Sequence, residues 1–167
     1  MDQDGLLTLY TYNIYANKLM FDTVGQLTEA EFNQQCSPSH GSVHRLLGHM
    51  LGCESFFLAQ CQGKPDEFDY TALPTLALLR GYWTKLEEQQ LDFIHSQNQA
   101  DLARQVQVEL RGESLVFPAW QLLLQAMVHS IHHRGELSIV LTELGHPLPT
   151  LDILLYFIHQ SGQDWPD

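Results

Sequence analysis

Apolar side chains recur every three or four positions along four long stretches of the chain, a spacing that is typical of amphipathic helices. The stretches cover residues 6–24, 43–63, 76–96 and 119–144. Ser42 and Thr75 precede the second and the third stretch, and both residue types cap helices with their side chains. The pattern therefore predicts four long helices, each with one face turned towards a shared core.

A different period interrupts the helices before the fourth one. Apolar and polar residues alternate on both sides of a turn at residues 111–113, with the apolar positions at Val106, Val108, Leu110, Leu115 and Phe117. This alternation predicts two short strands joined as a β-hairpin. Pro118 then fits the start of the fourth helix, and Gly145 and Pro147 fit its end.

Shorter elements complete the predicted fold. Thr28 and Glu31 form a capping-box pattern, which predicts one short helical turn, and residues 36–41 are rich in turn-forming residues. Residues 149–152 start a final helix that runs through Ile158 before a polar tail. The chain is thus predicted to be all-α: a four-helix bundle with a short β-hairpin before the last long helix and a C-terminal helix.

Length and charge narrow the classes of function. The 167 residues suit one domain, 1–167, with a single core, and the formal net charge of −12, with scattered basic residues, argues against a nucleic-acid partner. No apolar stretch approaches the roughly 18 residues of a membrane span, so no membrane partner is expected. Without a basic leader segment, Cys36, Cys53 and Cys61 are interpreted as reduced thiols of a cytoplasmic protein.

The residues best suited to chemistry lie in the fourth helix, in the run MVHSIHHRGEL at 127–137. His129 and His133 are four residues apart, so their imidazoles lie on one face about one turn apart. A buried imidazole either makes a hydrogen bond or coordinates a ligand, and two at this spacing can share one metal ion. His40 and His44 have the same spacing, so spacing alone does not establish a metal site.

The second helix offers a third histidine. His49 lies in the middle of its apolar stretch, so that in a bundle it could meet His129 and His133 as a third nitrogen donor. Gly48 and Gly52 flank this position, and each costs up to about 1 kcal/mol of helix propensity relative to alanine. This cost predicts that another backbone or a bound group comes close on that side.

Several segments together resemble one known family. They are Tyr12-Asn-Ile-Tyr-Ala-Asn17, Ser42-Val-His-Arg-Leu-Leu-Gly-His49, Val128-His-Ser-Ile-His-His-Arg-Gly-Glu-Leu137 with the following Leu144-Gly-His-Pro147, and Asp152-Ile-Leu-Leu-Tyr156. They resemble the DinB family of metal-binding four-helix bundles, which is described together with the bacillithiol and mycothiol S-transferases. The resemblance covers nearly the whole chain, although Tyr15 stands where a tryptophan is more usual.

The resemblance implies a metal centre and its ligands. The three ligand positions fall on His49, His129 and His133, whereas His44 and His132 belong to the motifs without being ligands. Imidazole donors suit a divalent transition metal such as zinc, nickel or iron. The resemblance further implies a homodimer, which exposed apolar surface on the first or the third long helix would support.

Two classes of function follow from a three-histidine centre. Open coordination positions are typical of catalytic ions, which predicts a metal-dependent enzyme acting on a small molecule. It would be of small-hydrolase type or, as the resemblance to the S-transferases implies, a thiol S-transferase that uses a low-molecular-weight thiol. The alternative is a non-catalytic metal-binding or small-molecule-binding bundle, which Cys53 as a fourth ligand would favour by closing the site. An ion-free bundle with three hydrogen-bonded histidines is the third interpretation.

Partners for the second nitrogen of each ligand histidine are expected near any such centre. The candidates are polar residues of the long helices, namely Asn13, Asn17, Glu54 and Glu136. Each of them also fits a solvated helix face.

Overall fold

The structure, a computed structural model, describes residues 1–164. In chain order, its elements are α1 (Gln3–Val24), α2 (Glu29–Asn33), α3 (Val43–Gln62), a 3₁₀ turn (Tyr70–Ala72), α4 (Leu76–His95), α5 (Gln99–Ala103), β1 (Gln105–Leu110), β2 (Glu113–Pro118), α6 (Ala119–Glu143) and α7 (Ile153–Ser161). The predicted polar tail extends beyond residue 164 and lies partly outside the described residues.

The four long helices α1, α3, α4 and α6 form the bundle. Helix α3 packs along α6, α1 packs against α4 and α6, and the antiparallel pair of β1 and β2 rests against α3 and α6. The predicted class, a helical bundle with a hairpin before the last long helix, is confirmed. Within residues 1–164, no helix has the length and hydropathy that a membrane crossing requires.

Side-chain caps set the helix ends. The predicted caps of α3 and α4 are confirmed, because the hydroxyls of Ser42 and Thr75 accept hydrogen bonds from backbone N–H groups of the first turn. Helix α1 begins earlier than its apolar pattern, because the Asp2 side chain accepts from the N–H of Gly5 at 2.9 Å. A polar cap of this kind lies outside any hydrophobic periodicity.

Two shorter helices differ from the sequence prediction. Helix α7 begins only at Ile153, since Asp152 is still extended, with φ −65° and ψ 132°; residues 149–152 therefore lead into the helix without belonging to it. Helix α5 was not predicted. Its capping box of Asn98 and Asp101 starts a helix of five residues, which is too short to give a recognisable apolar period.

The exposed large apolar side chains lie mainly on the hairpin and the C-terminal helices. They are Leu115 and Val116 on β2, Val128, Ile131 and Ile139 on α6, and Leu154 and Phe157 on α7, with Leu78 on α4 and Met1 before α1. The first and third long helices, α1 and α4, on which exposed apolar surface would support a dimer, thus expose little of it beyond Leu78. The homodimer stays a prediction.

A layer of buried polar side chains divides the core. Two large apolar clusters contain Trp83 and Leu123, and a third, small cluster contains Tyr156. Along each long helix the polar residues lie between the two large clusters; they are Asn13 and Asn17 on α1, Glu54 on α3, Gln90 on α4, and Ser130 and Arg134 on α6. The bundle therefore has a polar middle between two apolar ends.

The two glycines of α3 make room for aromatic rings. A Cβ atom at Gly48 would overlap the ring of Tyr70, and one at Gly52 would lie 2.8 Å from Cε1 of Phe68. Another group does come close on this side, but the neighbouring atoms are side chains of the segment between α3 and α4, where the sequence predicted a backbone or a bound group. The glycines thus hold this segment against α3.

Replacement of Gly48 tests this packing. We expect Gly48→Ala to lower the free energy of unfolding by about 1–3 kcal/mol, because the ring of Tyr70 must move and this cost exceeds the gain in helix propensity. The matched control is Gly81→Ala on α4, where nothing lies within 4 Å of the new Cβ; it should raise the stability by about 0.5–1 kcal/mol. Urea denaturation measures both, and equal stabilisation by the two substitutions would contradict the packing.

Candidate metal centre

Three histidines from two helices converge beside the polar layer. His49 of α3 faces His129 and His133 of α6, and one nitrogen of each ring lies within 4.8 Å of the others. The Nε2 atoms of His49 and His129 are 3.0 Å apart, and the three ring centroids are 4.5–4.8 Å from one another. The structure therefore brings together all three residues that the sequence selected.

The three imidazoles are neutral at pH 7. Burial, and then the neighbouring histidines, lower the pKa of His49 and of His129 to about 4. Burial also lowers the pKa of His133, although its hydrogen bond to Glu136 works in the opposite direction. A neutral imidazole keeps a free nitrogen lone pair, which is the form that coordinates a metal ion.

The distances suit one shared ion. Nitrogens that bind the same tetrahedral zinc at about 2.0–2.1 Å are about 3.4 Å apart; the Nε2 atoms of His49 and His129 are 3.0 Å apart, and all three rings have a nitrogen within 4.8 Å of the others. The buried Nδ1 of His129 has no hydrogen-bond partner within residues 1–164. The donor set is thus three neutral nitrogens and no carboxylate.

Glu136 contacts the Nδ1 atom of His133 and helps to orient its ring. Its Oε2 lies 3.4 Å from Nδ1 of His133, and its two oxygens accept hydrogen bonds from the hydroxyls of Ser37 and Ser39 at 2.6 and 2.5 Å and from the N–H of Ser39 at 3.2 Å. Partial burial alone would raise the pKa of Glu136, but these hydrogen bonds outweigh it and lower the pKa to about 2. These contacts fit the interpretation of Glu136 as the hydrogen-bond partner of a candidate ligand, His133. The interpretation of Glu136 as part of a solvated helix face is wrong.

His40 was missed by the sequence interpretation. Its ring stacks on His49 with centroids 3.9 Å apart and meets the edge of His133 at 5.2 Å. It also forms a second group of candidate donors with His133 and Glu136. The sequence showed only that this loop is rich in turn-forming residues; the bridge between Ser37 and Gly41, which folds the loop back, is seen only in the structure.

The other motif histidines are engaged elsewhere. Nε2 of His44 lies 2.8 Å from the carbonyl oxygen of Leu73, to which it donates, and Nδ1 then accepts from the hydroxyl of Tyr70 at 2.8 Å. His132 is exposed on α6. Cys53 joins neither donor group within the described part of the chain, although it lies on the same helix one turn beyond His49.

The remaining candidate partners, Asn13, Asn17 and Glu54, belong to the polar layer of the core. Glu54 accepts hydrogen bonds from Nδ2 of Asn13 at 3.2 Å and from the hydroxyl of Ser130 at 2.5 Å. Asn13 and Asn17 in turn accept from the guanidinium of Arg134 at 2.5 and 2.9 Å. Both interpretations of these residues are therefore wrong: they face neither a histidine nor solvent, and they join α1, α3 and α6.

The fold and the three histidines place the protein in a class: helical bundles with a candidate metal centre between two of their long helices. The sequence model of the DinB family matches residues 1–164, and the chain belongs to the DinB family.

A similar protein supports this membership, and a similar solved structure supports the fold. The chain is 22% identical over 162 residues to Protein DinB of Bacillus subtilis (strain 168), which covers 92% of this chain and 94% of that protein. It also resembles the crystal structure of a DinB-like protein from Bacillus subtilis, with a TM-score of 0.63 and 18% sequence identity over 86% of this chain and 96% of that one. At this identity the structural likeness shows the fold.

The carboxyl group of Glu87, at the edge of the polar layer, makes stability depend on pH. It accepts from Nδ2 of Asn17 at 2.9 Å; burial, and then the nearby Glu54, raise its pKa from 4.5 to about 7. Between pH 4.5 and about pH 7, the carboxyl group of Glu87 keeps its proton in the folded protein and releases it in the unfolded chain. The contribution of Glu87 to the free energy of unfolding is therefore fully present below pH 4.5 and is lost as the pH rises through 7.

We expect Glu87→Gln to remove this loss of stability at higher pH, because the amide oxygen of glutamine still accepts a hydrogen bond from Asn17 and the amide group does not titrate. The stability of the variant relative to wild type should grow by about 1–3 kcal/mol between pH 5 and pH 7.5, as measured by urea denaturation. Glu88→Gln, the same change at an exposed position of α4, is the control. A difference between wild type and Glu87→Gln that stays constant with pH would refute the assignment.

Proposed function

We propose that the protein is a metal-dependent enzyme that holds one divalent transition-metal ion on His49, His129 and His133. The observation that carries this proposal is the convergence of three neutral imidazoles, from two helices, with ring nitrogens within 4.8 Å of one another. Imidazole donors suit zinc, nickel and iron. Three protein ligands leave a coordination position open, as in catalytic sites.

The surroundings of the three histidines favour access for a small molecule. His49 also lines a cleft of about 650 Å³ between α3, the 3₁₀ turn and β1, a size that suits a small ligand. An ion bound by the three histidines would supply Lewis acidity that activates a thiol or a water molecule entering from this cleft. Glu136 holds the ring of His133 in the orientation that leaves its other nitrogen for the ion.

Among the enzyme types, thiol S-transfer is the one that we propose. Burial raises the pKa of Cys53 and of Cys61 to about 12 and raises that of Cys36 above its ordinary 9.0, so the protein's own thiols stay protonated at neutral pH. In a thiol S-transfer, the thiolate nucleophile therefore belongs to a low-molecular-weight thiol and not to a cysteine of the protein. Its sulfur forms a bond to a carbon electrophile, the leaving group departs with the bonding electrons, and the thiol proton passes to solvent.

A structural ion is the second candidate, because the ligands lie on two helices that an ion would tie together. The hydrogen bond from Ser130 of α6 to Glu54 of α3 already joins these helices at the same level. A catalytic ion should therefore be removable without unfolding, whereas a structural ion should not. Thermal unfolding before and after chelation separates the two candidates.

Metal content tests the centre. We expect protein purified without an affinity tag to carry close to one equivalent of zinc, nickel or iron by mass spectrometry, since three preorganised donors bind such ions tightly. The double variant His129→Ala, His133→Ala should lose the metal, whereas His132→Ala, an exposed histidine of the same helix, should keep it. Wild-type protein that is free of metal and cannot be loaded would refute the proposal.

Activity tests the reaction type. Metal-loaded protein should accelerate the displacement of chloride from 1-chloro-2,4-dinitrobenzene by N-acetylcysteine, because the bound ion raises the thiolate fraction of the thiol. The rate, followed by absorbance, should fall to the uncatalysed value after chelation and in His129→Ala, His133→Ala, and should persist in His132→Ala. A chelated protein that keeps its full rate would exclude metal-dependent thiol transfer.

A further inference from the structure

One face of α3 forms a continuous wall beside the metal centre. Arg45, His49 and Cys53 follow one another at intervals of four residues, so they lie along one side of the helix, and all three line the cleft of about 650 Å³. Phe56 extends the same side towards the hairpin. His49 thus belongs both to the three-histidine cluster and to the cleft.

The rest of the cleft wall is apolar and aromatic. It is formed by Phe68 and Tyr70 of the segment between α3 and α4, which pack over the glycines of α3, and by Leu110 of β1. Flat rings at this position suit an apolar, planar ligand, because burial of its surface and stacking on the rings both make its binding free energy more favourable. The walls therefore favour an aromatic body over a sugar or a polar chain.

Arg45 is the single Lys, Arg, Asp or Glu side chain among the described residues that line the cleft. It is exposed, and within residues 1–164 its guanidinium forms no ion pair. Within the same residues Arg80 is the one Lys or Arg side chain that forms an ion pair, so Arg45 is distinguished by its place in the cleft and not by the lack of a partner. A free guanidinium at the end of an apolar cleft is suited to a planar anion such as a carboxylate.

We propose that this cleft binds small molecules that combine a flat aromatic body with one anionic group. The anion pairs with Arg45, and the aromatic body lies in the cleft against the rings of Phe68 and Tyr70. His49 is one turn from Arg45 and lies between it and Phe56, so a ligand that spans the cleft passes the metal centre. This inference rests on the proposed function, because it names the class of the second substrate, the electrophile, of the same centre.

A charged ligand and its neutral isostere test the assignment. The test is a calorimetric titration of 2-naphthoate, and separately of naphthalene-2-carboxamide, into metal-loaded protein at low salt. Naphthoate should bind more tightly than the carboxamide. Arg45→Gln should weaken naphthoate about fivefold, the upper range for an exposed ion pair, and should leave the carboxamide unchanged.

Two matched variants control for net charge and for side-chain shape. Lys18→Gln removes the same charge from an exposed position of α1 outside the cleft and should leave both affinities unchanged. Arg45→Lys should keep most of the preference for naphthoate. Equal affinities for the two ligands, or equal losses in Lys18→Gln and Arg45→Gln, would overturn the role of Arg45.

Failure of this inference can be told apart from failure of the proposed function. If naphthoate binding is unchanged in Arg45→Gln but is lost in His129→Ala, His133→Ala, the carboxylate binds the metal, and the role of Arg45 is wrong although the centre stands. If the protein takes up no metal but binds naphthoate through Arg45, the cleft stands and the proposed function fails. If metal-loaded protein binds neither ligand, the cleft proposal fails.

Discussion

The buried carboxyl group of Glu54 is the contact on which the rest of the structure depends. It accepts hydrogen bonds from Asn13 of α1, Trp83 and Gln90 of α4, and Ser130 of α6, so one side chain of α3 is joined to the other three long helices. A buried carboxyl group is costly unless its oxygens are satisfied. The helices must therefore keep the register in which all four donors reach it, and apolar packing alone would not impose so narrow a choice.

This register also places the histidines. Ser130, which donates to Glu54, directly follows His129 in α6, and Arg134 of the polar layer directly follows His133. Successive residues of a helix differ by about 100° in direction, so one residue of each pair faces the core while its neighbour faces α3 at the edge of the bundle. On α3, Glu54 is the corresponding core residue and His49 lies just over one turn before it. The contact that fixes the core thus also brings the ring nitrogens together.

The sequence predicted much of the fold but less of the site. Hydrophobic periodicity located the long helices and the hairpin, because burial of one face imposes that period. The three histidines followed from the family resemblance, since the spacing of His129 and His133 recurs at His40 and His44, where the structure gives the residues different surroundings. The polar layer was not predicted: a buried Asn or Glu and a solvated one look alike in a helical pattern, and only packing distinguishes them. His40 could not be assigned either, because it lies in a loop, and a loop conformation leaves no periodic pattern in the sequence.

The most direct measurement is anomalous diffraction from crystals of metal-loaded protein at the absorption edge of the bound metal. The account predicts one anomalous peak, about 2.0–2.3 Å from a ring nitrogen of each of His49, His129 and His133, with no fourth protein ligand and with the open position turned towards the cleft. A peak bound by Cys53, a peak elsewhere, or no peak at saturating metal would contradict it.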